Sequence, residues 1–121
     1  MSKWDKLHVE HADRPAVGAI VFRLSGMLDS SPESYAFLEA VQEQSHAGPV
    51  RVVINLANVS IMTSAGVGIL AACFTSVTNA GGKMCLTGAT GRAAVILNVV
   101  RMLDVVSSAA TEDDAVRLVC S

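Results

Sequence analysis

The sequence predicts an α/β fold: a single domain with a mixed, largely parallel sheet of four to five strands and about four helices. β-branched runs alternate with segments of helical period along the chain. Such alternation is typical of parallel strands joined by helical crossovers. The 121 residues are 51% apolar and only 4% aromatic, so one core built from Val, Ile, Leu and Ala is expected.

The first part of the chain predicts two strands and a helix. Residues 4–9 form a short edge strand, and residues 16–24 form a second strand that ends at Ser25-Gly26. We expect these two strands to pair antiparallel. Ser30-Ser31-Pro32-Glu33 predicts a helix start, with a serine cap, proline at the first helical position and an acidic residue in the first turn.

The middle of the chain predicts a buried strand, a helix and a short strand. Residues 50–56 are almost continuously β-branched, which is typical of a strand covered on both faces, and Asn55 and Asn58 mark its end. The next helix begins at Thr63 or Ser64, because apolar residues then recur at helical spacing as far as Gly81-Gly82. Residues 83–87 follow as a strand.

The last part of the chain predicts two helices with a very short strand between them. Residues 91–102 form a third helix, and residues 105–106 form the strand. Thr111 caps the final helix, whose inner face is expected to carry Ala115, Leu118 and Val119.

Composition argues against several classes of function. The net charge of −2 provides no basic excess for nucleic acid or an anionic membrane. Cys73, Cys85 and Cys120 are odd in number and far apart, so neither a disulfide framework nor a zinc site is expected. No apolar run of about 18 residues and no signal peptide occurs, which favours a cytoplasmic protein. We expect neither a metal nor a cofactor.

The residues form no catalytic pattern. Gly66-Val67-Gly68 is too short for a nucleotide-binding fingerprint and lies inside a predicted helix. A nucleophilic Ser64 would need a histidine base, but His8, His11 and His46 all precede it, so the α/β-hydrolase order of residues is impossible. We therefore predict that the chain is not an enzyme.

The start of the second helix carries the functional prediction. A helix start has unpaired N–H groups and a partial positive charge, and a phosphate on Ser64 would face them. Ala65 and Gly66 keep this turn small, so that another chain can approach closely. The residues alone leave two interpretations open: a phosphorylation site, or a Thr63 or Ser64 that only caps the helix.

Three stretches resemble the STAS domain, the fold of anti-sigma-factor antagonists. Residues 23–29 are similar to the family's R-L-x-G-x-L-D. Residues 52–68 are similar to V-V-L-D-L-x-x-V-x-x-M-D-S-S-G-L-G. The turn Gly81-Gly82-Lys83 resembles the family's helix-to-strand connection. The resemblance covers roughly residues 16–118, which we take as the core of a single domain spanning residues 1–121.

The resemblance implies a partner-switching regulator. Ser64 matches the family's phosphoacceptor, with Thr63 as the alternative acceptor. The implied partner is a serine kinase that is also an anti-sigma factor; it binds the unmodified form, and phosphorylation releases it. Asp29 either takes part in this contact or is the polar turn residue that ends a strand, and Met27 is a candidate for an exposed contact patch. The predicted partner-binding residues are Met27, Asp29, Thr63, Ser64, Ala65, Gly66 and Val67.

Two departures from the family pattern support alternatives. Thr63 stands where the family usually has Asp, and Ala65 replaces a second hydroxyl residue. The resulting hydroxyl-Ala-Gly pattern also resembles the STAS subunit of bacterial phospholipid-transport ATPase complexes, which implies constitutive contact with a transporter ATPase subunit at the same helix end. A third alternative is a module that binds a small ligand near Asp29 and the Ser64 turn. An uncovered edge strand would support a weak homodimer.

Overall fold

Five strands form one sheet with the order β1-β2-β3-β4-β5 in a computed structural model that describes residues 6–89, 96–97, 101–102 and 105–120. β1 pairs antiparallel with β2, and every later pair is parallel, which confirms the predicted mixed sheet. The strands are His8–His11 (β1), Ala19–Leu28 (β2), Arg51–Met62 (β3), Lys83–Thr87 (β4) and Ser107–Ala109 (β5).

Three helices connect or follow these strands within the described ranges: Pro32–His46 (α1), Ser64–Asn79 (α2) and Glu112–Val119 (α3). α1 begins after Ser31, whose side chain accepts the backbone N–H of Ser34, as the Ser-Pro pattern predicted. The helix predicted over residues 91–102 lies largely outside the described residues.

Both long strands continue further than the sequence predicted. β2 does not end at Ser25-Gly26, and β3 does not end at its asparagines. The reason is two register shifts, one between Arg23 and Ser25 and one between Gly26 and Met27, at each of which β3 carries one residue more than β2. Such bulges place polar and glycine residues inside a strand, where they mimic its end.

The sheet is covered unequally on its two faces. α1 and α2 pack over the larger core, which includes Phe22, Phe37 and Leu70. α3 covers a smaller apolar cluster on the opposite face, where Val21, Val53 and Cys85 meet its residues Ala115, Val116 and Val119. β3 is therefore buried on both faces over residues 52–54, as its β-branched run predicted.

Three predictions near the chain ends differ from the structure. β1 occupies His8–His11 rather than residues 4–9, of which 4 and 5 lie outside the described part. β5 begins after Val106, whose side chain packs in the larger core, rather than at residues 105–106. The inner face of α3 carries Val116, whereas Leu118 is 39% exposed, so the predicted helical phase was wrong at that position.

Candidate functional site

The ends of β2 and β3 bring the starts of α1 and α2 side by side. Leu28 and Met62 form the last pair of the parallel ladder. The backbone N–H of Thr63 donates to the carbonyl oxygen of Leu28 at 3.1 Å, which holds the first residue beyond β3 against the end of β2. Asp29 and Thr63 are consequently neighbours at the carboxyl edge of the sheet, the edge at which open α/β sheets bind their ligands.

Thr63 caps α2. Its backbone is extended, with φ −94° and ψ 175°, and its hydroxyl oxygen accepts the N–H of Gly66 at 3.3 Å. Its carbonyl accepts the N–H of Val67 at 3.0 Å. The helix begins at Ser64, as predicted, and the geometry leaves the N–H groups of Ser64 and Ala65 without an intrahelical acceptor.

Ser64 is exposed at the first position of α2. Its hydroxyl has no hydrogen-bond partner among the described residues. The first turn of α2 contains no acidic side chain, so the partial positive charge of the helix start is not compensated within its own turn. This arrangement can accept an added anion.

Gly66 allows α2 to approach β2 closely. A Cβ atom at this position would lie 2.2 Å from the carbonyl oxygen of Leu28, which is shorter than any tolerable contact. Gly66 and Val67 are both buried. Gly66 and Val67, two of the predicted partner-binding residues, therefore lie beneath the exposed residues Thr63 and Ser64 and position the first turn of α2 from the interior.

Asp29 is built into the start of α1. Its carboxylate accepts the backbone N–H of Ser31 at 3.0 Å and the hydroxyl of Ser34 at 3.2 Å. Hydrogen bonds from Ser31, and then from Ser34, hold the pKa of the Asp29 carboxyl below its ordinary value despite the opposing effect of burial. Asp29 thus has the turn role that the sequence left open, while part of its side chain stays accessible.

The protein-family model for the STAS domain matches residues 8–115. The chain belongs to the STAS domain family. Three solved structures support the fold of this STAS domain. No curated protein sequence matches the chain significantly.

An anti-sigma factor antagonist from Mycobacterium paratuberculosis is 20% identical over 96% of both chains, with a TM-score of 0.79. The Bacillus cell fate determinant SpoIIAA, solved in its phosphorylated form, is 21% identical over 94% of this chain and 99% of that one, with a TM-score of 0.61. A sulfate transporter family protein from Wolinella succinogenes is 13% identical over 84% of each chain, with a TM-score of 0.67.

Met27 adds an apolar side chain to this edge of the STAS domain. It lies opposite Ile61 in the β2–β3 ladder, and both residues are only partly buried. Neither residue packs in the two described core clusters. The sequence singled out Met27 but not Ile61 as a surface residue, because the bulges in β3 hide which side chains share a face.

A second polar cluster lies at the start of α3. The Glu112 carboxylate accepts two hydrogen bonds from the Arg23 guanidinium, at 2.9 and 2.8 Å, and one from the Asn55 amide at 3.1 Å. The Arg23 hydrogen bond, the largest cause, lowers the pKa of Glu112 to about 2. Arg14 also reaches Glu112, at 3.4 Å. The charges neutralise one another inside the chain, so this cluster attaches α3 to the strands.

Two buried thiols, those of Cys73 and Cys85, are poor nucleophiles. Burial raises the pKa of Cys73 to about 12 and that of Cys85 to about 11, so neither forms a thiolate at neutral pH. Within the described ranges, no three His, Cys, Asp or Glu side chains are grouped to hold a metal ion. No helix in that part of the STAS domain is both long and apolar enough to cross a bilayer.

Proposed function

We propose that this STAS domain is a non-enzymatic partner-switching regulator of the anti-sigma-factor-antagonist type. In its unmodified form it binds a serine kinase that is also an anti-sigma factor, and phosphorylation of Ser64 releases it. The observation that carries the proposal is the exposed hydroxyl of Ser64 at the first position of α2, which has no hydrogen-bond partner among the described residues.

Ser64 is a better acceptor than Thr63 on geometric grounds. The Thr63 hydroxyl oxygen already accepts the Gly66 N–H at 3.3 Å. Phosphorylation of Thr63 would disturb that cap, which is worth about 1 kcal/mol. The Ser64 hydroxyl makes no such bond, so a kinase can reach it without any loss of structure.

The switch rests on the cost of burying a dianion. A phosphoserine carries about −1.5 to −2 charges at neutral pH. A partner that packs against the first turn of α2 would have to desolvate this group, and the nearby Asp29 carboxylate adds to the local negative charge. Docking and phosphorylation therefore exclude each other. The proposed contact surface is Met27, Asp29, Thr63, Ser64 and Ala65, which Gly66 and Val67 hold in place from the interior.

Intact-mass measurement after incubation with a candidate serine kinase and ATP tests the proposal. We expect one added phosphate on the wild type and on Thr63→Asn, which keeps a capping side chain but has no hydroxyl. Ser64→Ala should gain none. A phosphate on Ser64→Ala, or its loss on Thr63→Asn alone, would contradict the assignment of Ser64.

Binding measurements on the same variants test the switch itself. Ser64→Ala should bind the kinase as the wild type does and remain bound in the presence of ATP, whereas Ser64→Asp should bind much more weakly. Equal affinity of Ser64→Asp and wild type would show that a negative charge at this position does not prevent docking.

A second candidate function is favoured by the composition of α2. Its 16 residues include no charged side chain, so the helix could form a permanent interface. In this alternative the domain is a constitutive subunit of a phospholipid-transport ATPase complex. Stable co-purification with a transporter ATPase, together with unmodified Ser64 in cells, would distinguish it from the switch.

A further inference from the structure

Ser34 is a buried serine in the first turn of α1. It has 0% exposure, although serine is usually a surface residue. Its hydroxyl oxygen lies 3.1 Å from the backbone nitrogen of Asp29 and 3.2 Å from Oδ1 of the Asp29 carboxylate. The hydroxyl oxygen of Ser31 lies 3.0 Å away. Three polar groups therefore converge on one enclosed hydroxyl.

One assignment of protons satisfies this whole cluster. A hydroxyl group has one proton to donate and two lone pairs that accept. The ionised Asp29 carboxylate is a stronger acceptor than the Met27 carbonyl, which is also farther from Ser34, at 3.5 Å. The Ser34 proton therefore goes to Asp29 Oδ1, and the two lone pairs accept the N–H of Asp29 and the hydroxyl proton of Ser31. Removal of this hydroxyl would take bonds from both the carboxylate and the backbone of Asp29.

The peptide group between Leu28 and Asp29 is held from two sides. Its N–H donates to the Ser34 hydroxyl at 3.1 Å, and its carbonyl oxygen accepts the N–H of Thr63 at 3.1 Å. A peptide group is planar and rigid, so these two bonds fix the start of α1 relative to the cap of α2. The Ser34 hydroxyl thus connects the Asp29 carboxylate to the first turn of α2.

The Asp29 carboxylate has a fixed orientation in this arrangement. The hydrogen bonds that it accepts from the N–H of Ser31 and from the Ser34 hydroxyl both end on Oδ1. Oδ2 is the oxygen that can accept a donor of another chain. A carboxylate that is already oriented does not have to be ordered when a partner docks, and such preorganisation raises affinity.

We propose that Ser34 is a positioning residue of the partner contact: its hydroxyl orients the Asp29 carboxylate and holds it beside the start of α2. This inference rests on the proposed switch, because it concerns the same contact surface. Ser34 is enclosed and does not touch the partner, so it acts through Asp29.

Titration calorimetry of the full chain with the candidate serine kinase tests this role. Ser34→Ala should raise the dissociation constant about tenfold, because it removes a hydrogen bond to a charged group of the contact surface. Ser45→Ala is the matched control. Ser45 is also a buried serine of α1, and its hydroxyl donates to the Gln42 carbonyl at 2.8 Å in the last turn of the helix. This control should bind the kinase as the wild type does.

A double-mutant cycle separates positioning from a general structural role. Asp29→Ala should itself weaken binding, and in that background Ser34→Ala should change the dissociation constant by less than about twofold. A general structural role would give the same factor in both backgrounds. Ser34→Cys has nearly the same size and only a weak donor, so it should lose affinity as Ser34→Ala does without leaving a cavity. Circular dichroism should show unchanged folding of every variant.

NMR titration of the Asp29 carboxyl gives a measurement that needs no partner. Hydrogen bonds from Ser31, and then from Ser34, hold the pKa of this carboxyl below its ordinary value. Ser34→Ala should therefore raise the pKa of Asp29, whereas Ser45→Ala should leave it unchanged.

Three outcomes would overturn this proposal and leave the proposed switch intact. The first is a folded Ser34→Ala variant that binds the kinase as tightly as the wild type, while Ser64→Asp does not bind. The second is an equal effect of Ser34→Ala with and without Asp29→Ala. The third is a pKa of Asp29 that Ser34→Ala does not change. A wild-type chain that binds no candidate kinase would overturn both proposals together.

Discussion

Two helices of this domain begin with the same cap and differ in charge. Thr63 and Thr111 each accept a backbone N–H three residues ahead, at 3.3 and 3.1 Å. The first turn of α2 contains no acidic residue, whereas the first turn of α3 is Glu112-Asp113-Asp114. The start of α2 therefore has no anion in its own first turn, whereas the start of α3 has three.

The neighbours of the two starts extend this contrast. At α3, Arg14 pairs with Asp113 at 2.7 Å, Arg23 pairs with Glu112, and Arg117 pairs with Asp114. At α2, the Ser64 hydroxyl faces solvent. The acidic residues at the start of α3 form ion pairs within the chain and stabilise the fold. The Ser64 hydroxyl at the start of α2 has no partner within the described ranges and is available to another molecule. The start of α3 is structural, and the start of α2 is the candidate site.

The largest effect should come from the close approach beneath the α2 start. Gly66→Ala would place a methyl group 2.2 Å from the Leu28 carbonyl oxygen. We expect a loss of about 3 kcal/mol in the free energy of unfolding, measured with urea, because backbone must move to relieve the clash.

Gly68→Ala is the matched control in the same helix. A Cβ atom at Gly68 meets no heavy atom within 4 Å. Alanine in a helix interior is favoured over glycine by about 0.5–1 kcal/mol, so this variant should be more stable than the wild type. Equal effects of the two substitutions would show that α2 does not rest against β2 as described.

The second largest effect should come from the α3 start. Glu112→Gln removes the charged partner of Arg23 and should cost about 2 kcal/mol, because the Glu112 side chain is only 13% exposed. Glu43→Gln, on the exposed surface of α1, should change stability by less than about 0.5 kcal/mol.

The cost of Glu112→Gln should depend on pH. The pKa of Glu112 falls from 4.5 to about 2 on folding, so the unfolded chain binds more protons between these values and stability rises with pH there. The contribution of the carboxylate is complete above pH 4.5 and is lost as the pH falls toward 2. Urea unfolding at pH 7 and pH 3 should therefore give a smaller difference between wild type and variant at pH 3. A difference that does not change with pH would exclude the ion pair as its source.

The contrast between the two helix starts was only half predictable from the sequence. The start of α2 was predicted because its cap and its helical period are local, and the same holds for Ser31 and for β4 over residues 83–87. The Glu112 cluster was not predicted, since Arg23 lies 89 residues and Asn55 57 residues from Glu112 along the chain. Contacts at such separation leave no local pattern.

Strand length was missed for a related reason. The sequence rules treat Asn55 and Gly26 as strand ends, but bulges let β2 and β3 continue past them. Gly26 has φ +89°, which favours glycine, and the Asn55 side chain accepts the N–H of Ala57 at 2.9 Å. These extensions bring Met27 and Ile61 to the candidate site. The apolar residues of the site could therefore not all be predicted from the sequence.

The smallest effect on stability is expected from Ser64→Asp. This substitution tests the comparison most directly, because it gives the start of α2 a negative charge of the kind that the start of α3 already has. Ser64→Asp places a carboxylate at the first position of α2, where it interacts favourably with the helix start. We expect the free energy of unfolding to rise by about 0.5 kcal/mol at low ionic strength, and to rise less in high salt. Ser64→Asn, which has the same shape without the charge, separates the effect of the charge on stability from the effect of side-chain size.

The same Ser64→Asp substitution should abolish partner binding, so greater stability and lost affinity would occur together. If Ser64→Asp is instead less stable than Ser64→Asn, any loss of binding would be due to damage at the helix start. It would then not be due to the negative charge at the contact surface.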